Sequence, residues 1–273
     1  MKPSLFHRLS SVLWALIVSF IVLLAVYVSV GRMLTSLTSA YQQIILQEIN
    51  HRVPFLVEAR AVSAEWHSFT PVLVLQDLRL TLPGENVQPL ELAGGRVGLD
   101  VAGSLRNWTL QVTRLHLDGL NLAGELTEDR QLRINGLGGG DTPIEQWAEH
   151  LLLNVERVAL DNVRLDLQLP GGERRGFDLD LDLSRDGSRR WLEATLLSTR
   201  GLQVHALARG IGNPFNPDTF SGRLYLDVTA GDVAALTDLA GDPGPEMQLS
   251  GAVAMELWSS WDRGEPSADV RFE

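Results

Sequence analysis

The sequence predicts a mainly β protein behind one N-terminal transmembrane helix. Three observations predict it. Residues 12–30 form a run of 19 residues without a charge. Beyond residue 55 apolar and polar residues alternate with a period of two. One strand-like segment occurs three times, at offsets of 42 and 43 residues. At 273 residues, 45% of them hydrophobic and 21% charged, the chain is too apolar to be disordered. It has room for one large domain or two small ones.

Residues 1–11 make a short tail. The run that follows, VLWALIVSFIVLLAVYVSV, is about 28 Å long as a helix, close to the ~30 Å hydrocarbon core of a bilayer. Trp14 and Tyr27 lie near its ends, where amphipathic rings prefer the headgroup level. A cleaved signal peptide has an apolar region of about 7–15 residues and then a small-residue cleavage site. This run is longer and no such site follows, so an uncleaved anchor at 12–30 is expected. Lys2, Arg8 and the amino terminus outweigh Arg32 on the far side. The excess of positive charge puts the tail in the cytoplasm and residues 31–273 across the membrane. A bacterial inner membrane with a periplasmic body fits that orientation. The absence of cysteine suits an oxidising compartment.

Residues 31–54 read as an amphipathic helix. Leu34, Leu37, Tyr41, Ile44, Ile45 and Ile49 recur at spacings of three and four, and Pro54 ends the pattern. Strands are expected from Phe55 through 135, and again from 136 to 273. Val97, Leu99 and Val101 alternate with Gly98 and Asp100; Val163, Leu165, Leu167 and Leu169 with Arg164, Asp166 and Gln168; Phe177, Leu179, Leu181 and Leu183 with three aspartates. Alternation sends the apolar side chains to one face and the polar ones to the other. Residues 177–199 read as a hairpin turning at Asp186-Gly187. Short helical pieces are expected at Pro143–Leu153 and Asp232–Ala240.

The repeated segment is LVLQDLRL at 73–80, LHLDGLNL at 115–122 and VALDNVRL at 158–165. In each copy the apolar parity switches in the middle, at Asp77, at Asp118-Gly119 and at Asp161-Asn162. A β-bulge there would let both halves show their apolar residues to the same side. A unit repeating every ~40 residues suggests an array of similar β-elements. An amphipathic sheet must bury its apolar side, and few helices are available here. The sheet either folds into a sandwich or barrel, or curves around an apolar interior that holds a ligand. Periodicity does not separate the two.

Little in the sequence points to catalysis. The net charge is −11, which argues against nucleic acid as a partner; that only Lys2 among the 23 basic residues is a lysine reads as a compositional habit and not a binding signal. Without cysteine there is no thiol nucleophile and no Cys-based zinc site. The six histidines have no metal-ligand spacing. Asp178, Asp180 and Asp182 read as a solvated strand face, since no calcium-loop glycine or glutamate follows them. Gly136 to Asp141 lacks the lysine of a phosphate-binding loop and reads as a linker. No catalytic residue, metal ligand or cofactor is assigned. Arg174-Arg175 and Arg189-Arg190 lie at hairpin ends, as rim charges or as contacts to lipid phosphates.

The stretch AVSAEWHSFTPVLVLQDLRL at 61–80, GRVGLD at 95–100 and LHLDGLNL at 115–122 resembles the N-terminal part of the YhdP-type proteins in the AsmA-like family of Gram-negative bacteria. The resemblance covers nearly the whole chain, and Trp66 to Pro71 followed by the strand repeat is its most specific part. It implies an elongated, curved antiparallel β-groove, taco-like, built of repeating strands and apolar inside. It further implies a non-enzymatic bridge-like lipid-transfer protein that carries phospholipids between inner and outer membranes. The partners would be phospholipids and the inner membrane, with other envelope proteins as further candidates. Family members are much longer, and this sequence stops at 269–273 in mid-alternation, so an N-terminal portion is expected. The implied groove lining is Leu78, Leu80, Leu120, Leu122, Val163, Leu165, Phe177, Leu179 and Leu181. The competing reading is an envelope scaffold with a closed β-sandwich core.

Overall fold

In the computed structural model the alternating segments form one open sheet of 13 strands. The structure describes residues 17–22, 25, 29, 42–53, 55–67, 70–81, 89–107, 111–127, 132–134, 153–169, 172–214, 216–236, 251–263 and 265–272. The strands are β1 (Leu56–His67), β2 (Thr70–Thr81), β3 (Leu90–Leu99), β4 (Val112–Asp118), β5 (Asn121–Leu126) and β6 (Leu132–Ile134). They continue with β7 (Arg157–Gln168), β8 (Arg174–Asp186), β9 (Arg189–Ser198), β10 (Leu202–Ile211), β11 (Ser221–Ala230), β12 (Val253–Asp262) and β13 (Glu265–Phe272). Their order in space is β1-β2-β3-β4-β7-β8-β9-β10-β11-β12-β13, with β5 beside β7 and β6 beside β5. The end strands β1 and β13 each have one neighbour, so the described sheet is neither a barrel nor a sandwich.

The sequence repeat is a consequence of register. Leu73 pairs with Val97 and Val97 with Leu115, two antiparallel steps that return the chain 42 residues on. Leu115 then pairs with Val158, 43 residues on, in a parallel step. Leu122 pairs with Leu165 in the same way. The expectation of a purely antiparallel sheet is therefore corrected at β4–β7 and β5–β7. A parallel step needs a crossover of about a dozen residues or more, and the chain between Leu126 and Arg157 is long enough to supply it.

The parity switches coincide with left-handed backbone at Asp77, Gly119 and Asn162, with φ of 48°, 69° and 54°. Only Asn162 makes a register-shifting bulge, between Leu160 and Val163 against β8. The reason lies in the neighbours. Phe177 to Leu183 alternate without interruption in β8, so β7 must gain a residue to bring both its halves to the same face. Around Asp77 the adjacent β1 and β3 switch in the same row, and register is kept.

Helix α1 (Gln42–Arg52) stops before Pro54, whose ring disfavours helical geometry in the residue ahead of it. Its side chains cap the free edge of β1. Asn50 Nδ2 donates to the Val57 carbonyl (3.1 Å) while its Oδ1 accepts from the Val57 amide (2.7 Å). Gln42 Nε2 donates to the carbonyls of Ala59 and Arg60. Ile45, Leu46 and Ile49 pack against the core cluster Val57, Val62, Leu75, Leu78 and Leu92. Ile44, expected in that stripe, is exposed, because one residue of helix turns it about 100° away from Ile45. The upstream half of the expected helix lies outside the described residues.

Val101 belongs to a short helix, α2 (Val101–Asn107), and not to a strand. Asp100 Oδ1 accepts the Gly103 amide (2.9 Å), an N-cap that ends β3 at Leu99. The expected helix at 232–240 is a 3-10 turn at Val233–Leu236, and residues 237–240 lie outside the described set. The piece expected at 143–153 also lies outside it, apart from Leu153 and the following residue, which are helical. Of the expected anchor, residues 17–22, 25 and 29 are described, all helical and all exposed. Among the described residues no helix is long and apolar enough to cross a membrane.

Candidate functional site

Pairing partners in adjacent strands point to the same face, so register converts alternation into rows across the sheet. Leu165, Phe177 and Ser198 form one row, and Leu202, Ala230 and Val253 form its counterpart over β10–β12. Val163, Leu179, Leu196, Val204, Val228 and Met255 form the next row on the same face. Leu160, Leu181, Ala194, Ala206, Leu226 and Leu257 follow, and then Val158, Leu183, Leu192, Ala208 and Leu224. The result is an apolar surface several strands wide.

All nine sequence-predicted residues belong to this apolar side. Leu122, Leu165 and Phe177 lie in register, as do Val163 with Leu179 and Leu160 with Leu181. Leu78, Leu80 and Leu120 gather in the cluster that packs under α1. Their exposure divides them. Leu78, Val163 and Phe177 are buried at 3%, 2% and 3%. The other six are half-buried and reach the surface.

What covers the face differs along the sheet. Over β1–β3 it is α1. At the Phe177 end of β8–β12 it is the turn Val233–Leu236, where Ala235 is buried against Leu202, Val228 and Ala230. Between these, no helix or second sheet is laid across the rows among the described residues. Leu196, Val204, Leu226 and Leu257 were missed at the sequence level. Their strands mix alanine, serine and histidine into the pattern, and register alone aligns them with Leu179 and Leu181.

The opposite face is polar and internally neutralised over β7 and β8, while over β9–β12 it also carries the exposed Leu197, Leu207, Ile211 and Trp258. Arg157 grips Asp182 through Nε (2.9 Å) and Nη2 (2.5 Å), and that hydrogen-bonded carboxylate raises the arginine pKa. Arg164 reaches Asp178 at 3.2 Å. His116 Nε2 lies 2.6 Å from Asp161, and Asn162 bridges Asp118 and Asp180. These partners account for the aspartates without a metal, and among the described residues no group of three His, Asp or Glu could hold one. A cavity of about 780 Å³ opens on this polar face, lined in part by Trp191, Leu207, Arg209, Tyr225 and Trp258. It lies behind the predicted groove residues and shares none of them. The Tyr225 hydroxyl donates to Glu256 (2.9 Å), and this bond to the carboxylate raises the phenol pKa.

Among the described residues the arrangement offers surface. Its apolar rows can cover hydrocarbon, and its polar face keeps the sheet in water. Residues 1–272 match the family model described as YhdP protein. No curated protein and no solved structure shows a match.

Proposed function

The chain belongs to the YhdP protein family, and on that premise we propose that it is the membrane-anchored part of a phospholipid-transfer protein of the bacterial envelope. The observation that carries the reading is the apolar surface of β7–β12, which no helix or second sheet among the described residues covers. A two-tailed lipid has about 30 methylenes, and exposing them to water costs on the order of 24 kcal/mol at ~0.8 each. A carrier must cover the tails without interruption and leave the charged headgroup in water, where it keeps its hydration. A sheet that is apolar on one side and open along its length meets both demands. It works by burial alone, so the chain is read as non-enzymatic.

In this reading residues 12–30 anchor the chain in the inner membrane, the tail is cytoplasmic, and residues 31–273 lie in the periplasm. Leu80, Leu120, Leu122, Leu165, Leu179 and Leu181 touch acyl chains, while Leu78, Val163 and Phe177 form the floor beneath them. Lipid enters at the anchored end and moves along the rows.

Replacing Leu179 by Asp places a charge in the middle of the tail path. The expected result is at least a five-fold drop in phospholipid co-purifying with the detergent-solubilised chain, with the thermal unfolding midpoint held within a few degrees, as for a half-buried site. Unchanged lipid content in a stably folded Leu179→Asp protein contradicts the reading and favours a scaffold that works through protein partners.

A further inference from the structure

Two arginines stand on the apolar face. The ladder pairs Arg185 of β8 with Arg190 of β9, in the row beyond Leu183 and Leu192 on the same side. Like charges directly opposite each other in an antiparallel pair repel. Among the described residues neither guanidinium has a carboxylate partner. Arg185 donates to the carbonyls of Asn154 (2.8 Å), Val155 (3.4 Å) and Gly187 (3.4 Å). Arg190 donates to the carbonyl of Gly212. Its Nε is buried and has no acceptor. Burial, followed by the adjacent Arg185 charge, lowers the Arg190 pKa. A half-buried cation pair with a spare donor and no anion is costly, and an anion held between the two relieves the repulsion and the unmet donor together.

The setting selects the anion. The planar guanidinium fork matches phosphate oxygens. Beyond the arginines the row runs through Gly210 and Gly222 to Trp261. A Cβ at either glycine would fall within 2.5 Å and 2.8 Å of the Phe220 ring, so that ring lies against both. An apolar track ending in arginine and aromatic rings repeats the order of a membrane interface. From Arg185 back to Phe177 the strand spans eight residues, about 27 Å, which exceeds the ~15 Å of one leaflet's hydrocarbon.

We infer that Arg185 and Arg190 bind the phosphate of a phospholipid whose tails extend along β8, across the apolar rows, toward Phe177. The inference rests on the proposal that acyl chains occupy this face. It adds a polar end to that track, and with it a direction for the bound lipid and a preference for phosphate-bearing lipids over neutral ones.

The test compares two ligands with identical short chains, a phosphatidic acid and a diacylglycerol, binding to the full chain in detergent micelles. Inorganic phosphate is the third probe. The wild-type chain is expected to prefer the phosphatidic acid by about ten-fold or more, the scale of one charge-assisted hydrogen-bonded pair. Arg185→Gln with Arg190→Gln abolishes the preference, so that the two lipids bind alike. Arg190→Lys, which retains a donor for the Gly212 carbonyl but not the fork, gives an intermediate preference and guards against simple misfolding. Arg174→Gln, exposed at the other end of β8, keeps the full preference. Equal binding of both lipids by the wild-type chain overturns the arginine site and leaves the tail-binding face standing. Binding of neither lipid overturns the face itself. Inorganic phosphate binding as tightly as the phosphatidic acid makes this a free-phosphate site and overturns the lipid assignment.

Discussion

Asp77, Gly119 and Asn162 hold left-handed backbone in the middle of strand-forming sequence. For a residue with a side chain that geometry costs roughly 1–2 kcal/mol, so it persists only where something repays it. At Asn162 the repayment is visible. Its amide nitrogen donates to Asp180 (2.8 Å) and its side chain to Asp118 (2.7 Å). Asn162→Val forfeits the side-chain bond to Asp118 and adds β-branched strain in left-handed backbone, and is expected to destabilise the fold by about 1–3 kcal/mol in chemical denaturation. At Gly119 a Cβ would sit 2.7 Å from that of Ala93. Gly119→Ala is therefore expected to cost at least ~1–2 kcal/mol, where an exposed strand glycine would gain from the same change. The switch points were legible, because apolar parity visibly flips at Asp77, Asp118-Gly119 and Asp161-Asn162. The difference between a bulge and a kept register was not legible, since it depends on whether the neighbouring strand flips in the same row. Arg190 was legible at a hairpin end, as a rim charge or a contact to lipid phosphate, and Arg185 only as part of the turn. Nothing in the sequence assigned them to the apolar face before Asp186-Gly187 fixed the register of the hairpin.

At the level of elements, the contrast between the two sheet edges organises the molecule. The β1 edge is closed by α1, whose Asn50 offers the donor and acceptor that a further strand would offer. Asn50→Ala removes both bonds and is expected to cost about 1–3 kcal/mol. It should also speed hydrogen exchange at the Val57 amide far more than at Val62, deeper in the same strand. Equal protection at both positions would mean that the cap is incidental. At the opposite edge every residue of β13 is exposed. The β8–β9 hairpin was legible from the Asp-Gly turn and the unbroken Phe177–Leu183 alternation. Helix α2 was not, because Val97, Leu99 and Val101 continue the period past the point where Asp100 caps the helix. The parallel β4–β7 pairing was invisible for a different reason. Alternation defines a face and carries no direction, and only the crossover between Leu126 and Arg157 decides it.

On the scale of the whole molecule the fold is surface-rich. The chain exposes 18677 Å², against about 11,700 Å² for a compact monomer of 30.1 kDa. A single layer adds to such an excess, and a large apolar area left uncovered by the described residues marks a place where something else binds. Hydrocarbon suits the half-buried rows, which run from strand to strand across the sheet. The most direct measurement is position-specific photo-crosslinking from the full chain in membranes, with the adducts identified by mass spectrometry. Crosslinkers at Leu122 and Leu179 are expected to capture phospholipid acyl chains. Those at Asp178 and Asp180, one residue away on the polar face, are expected to capture none. Phospholipid at all four positions, or at the aspartates alone, would contradict an apolar groove, and protein adducts at Leu122 and Leu179 would make the face a docking surface.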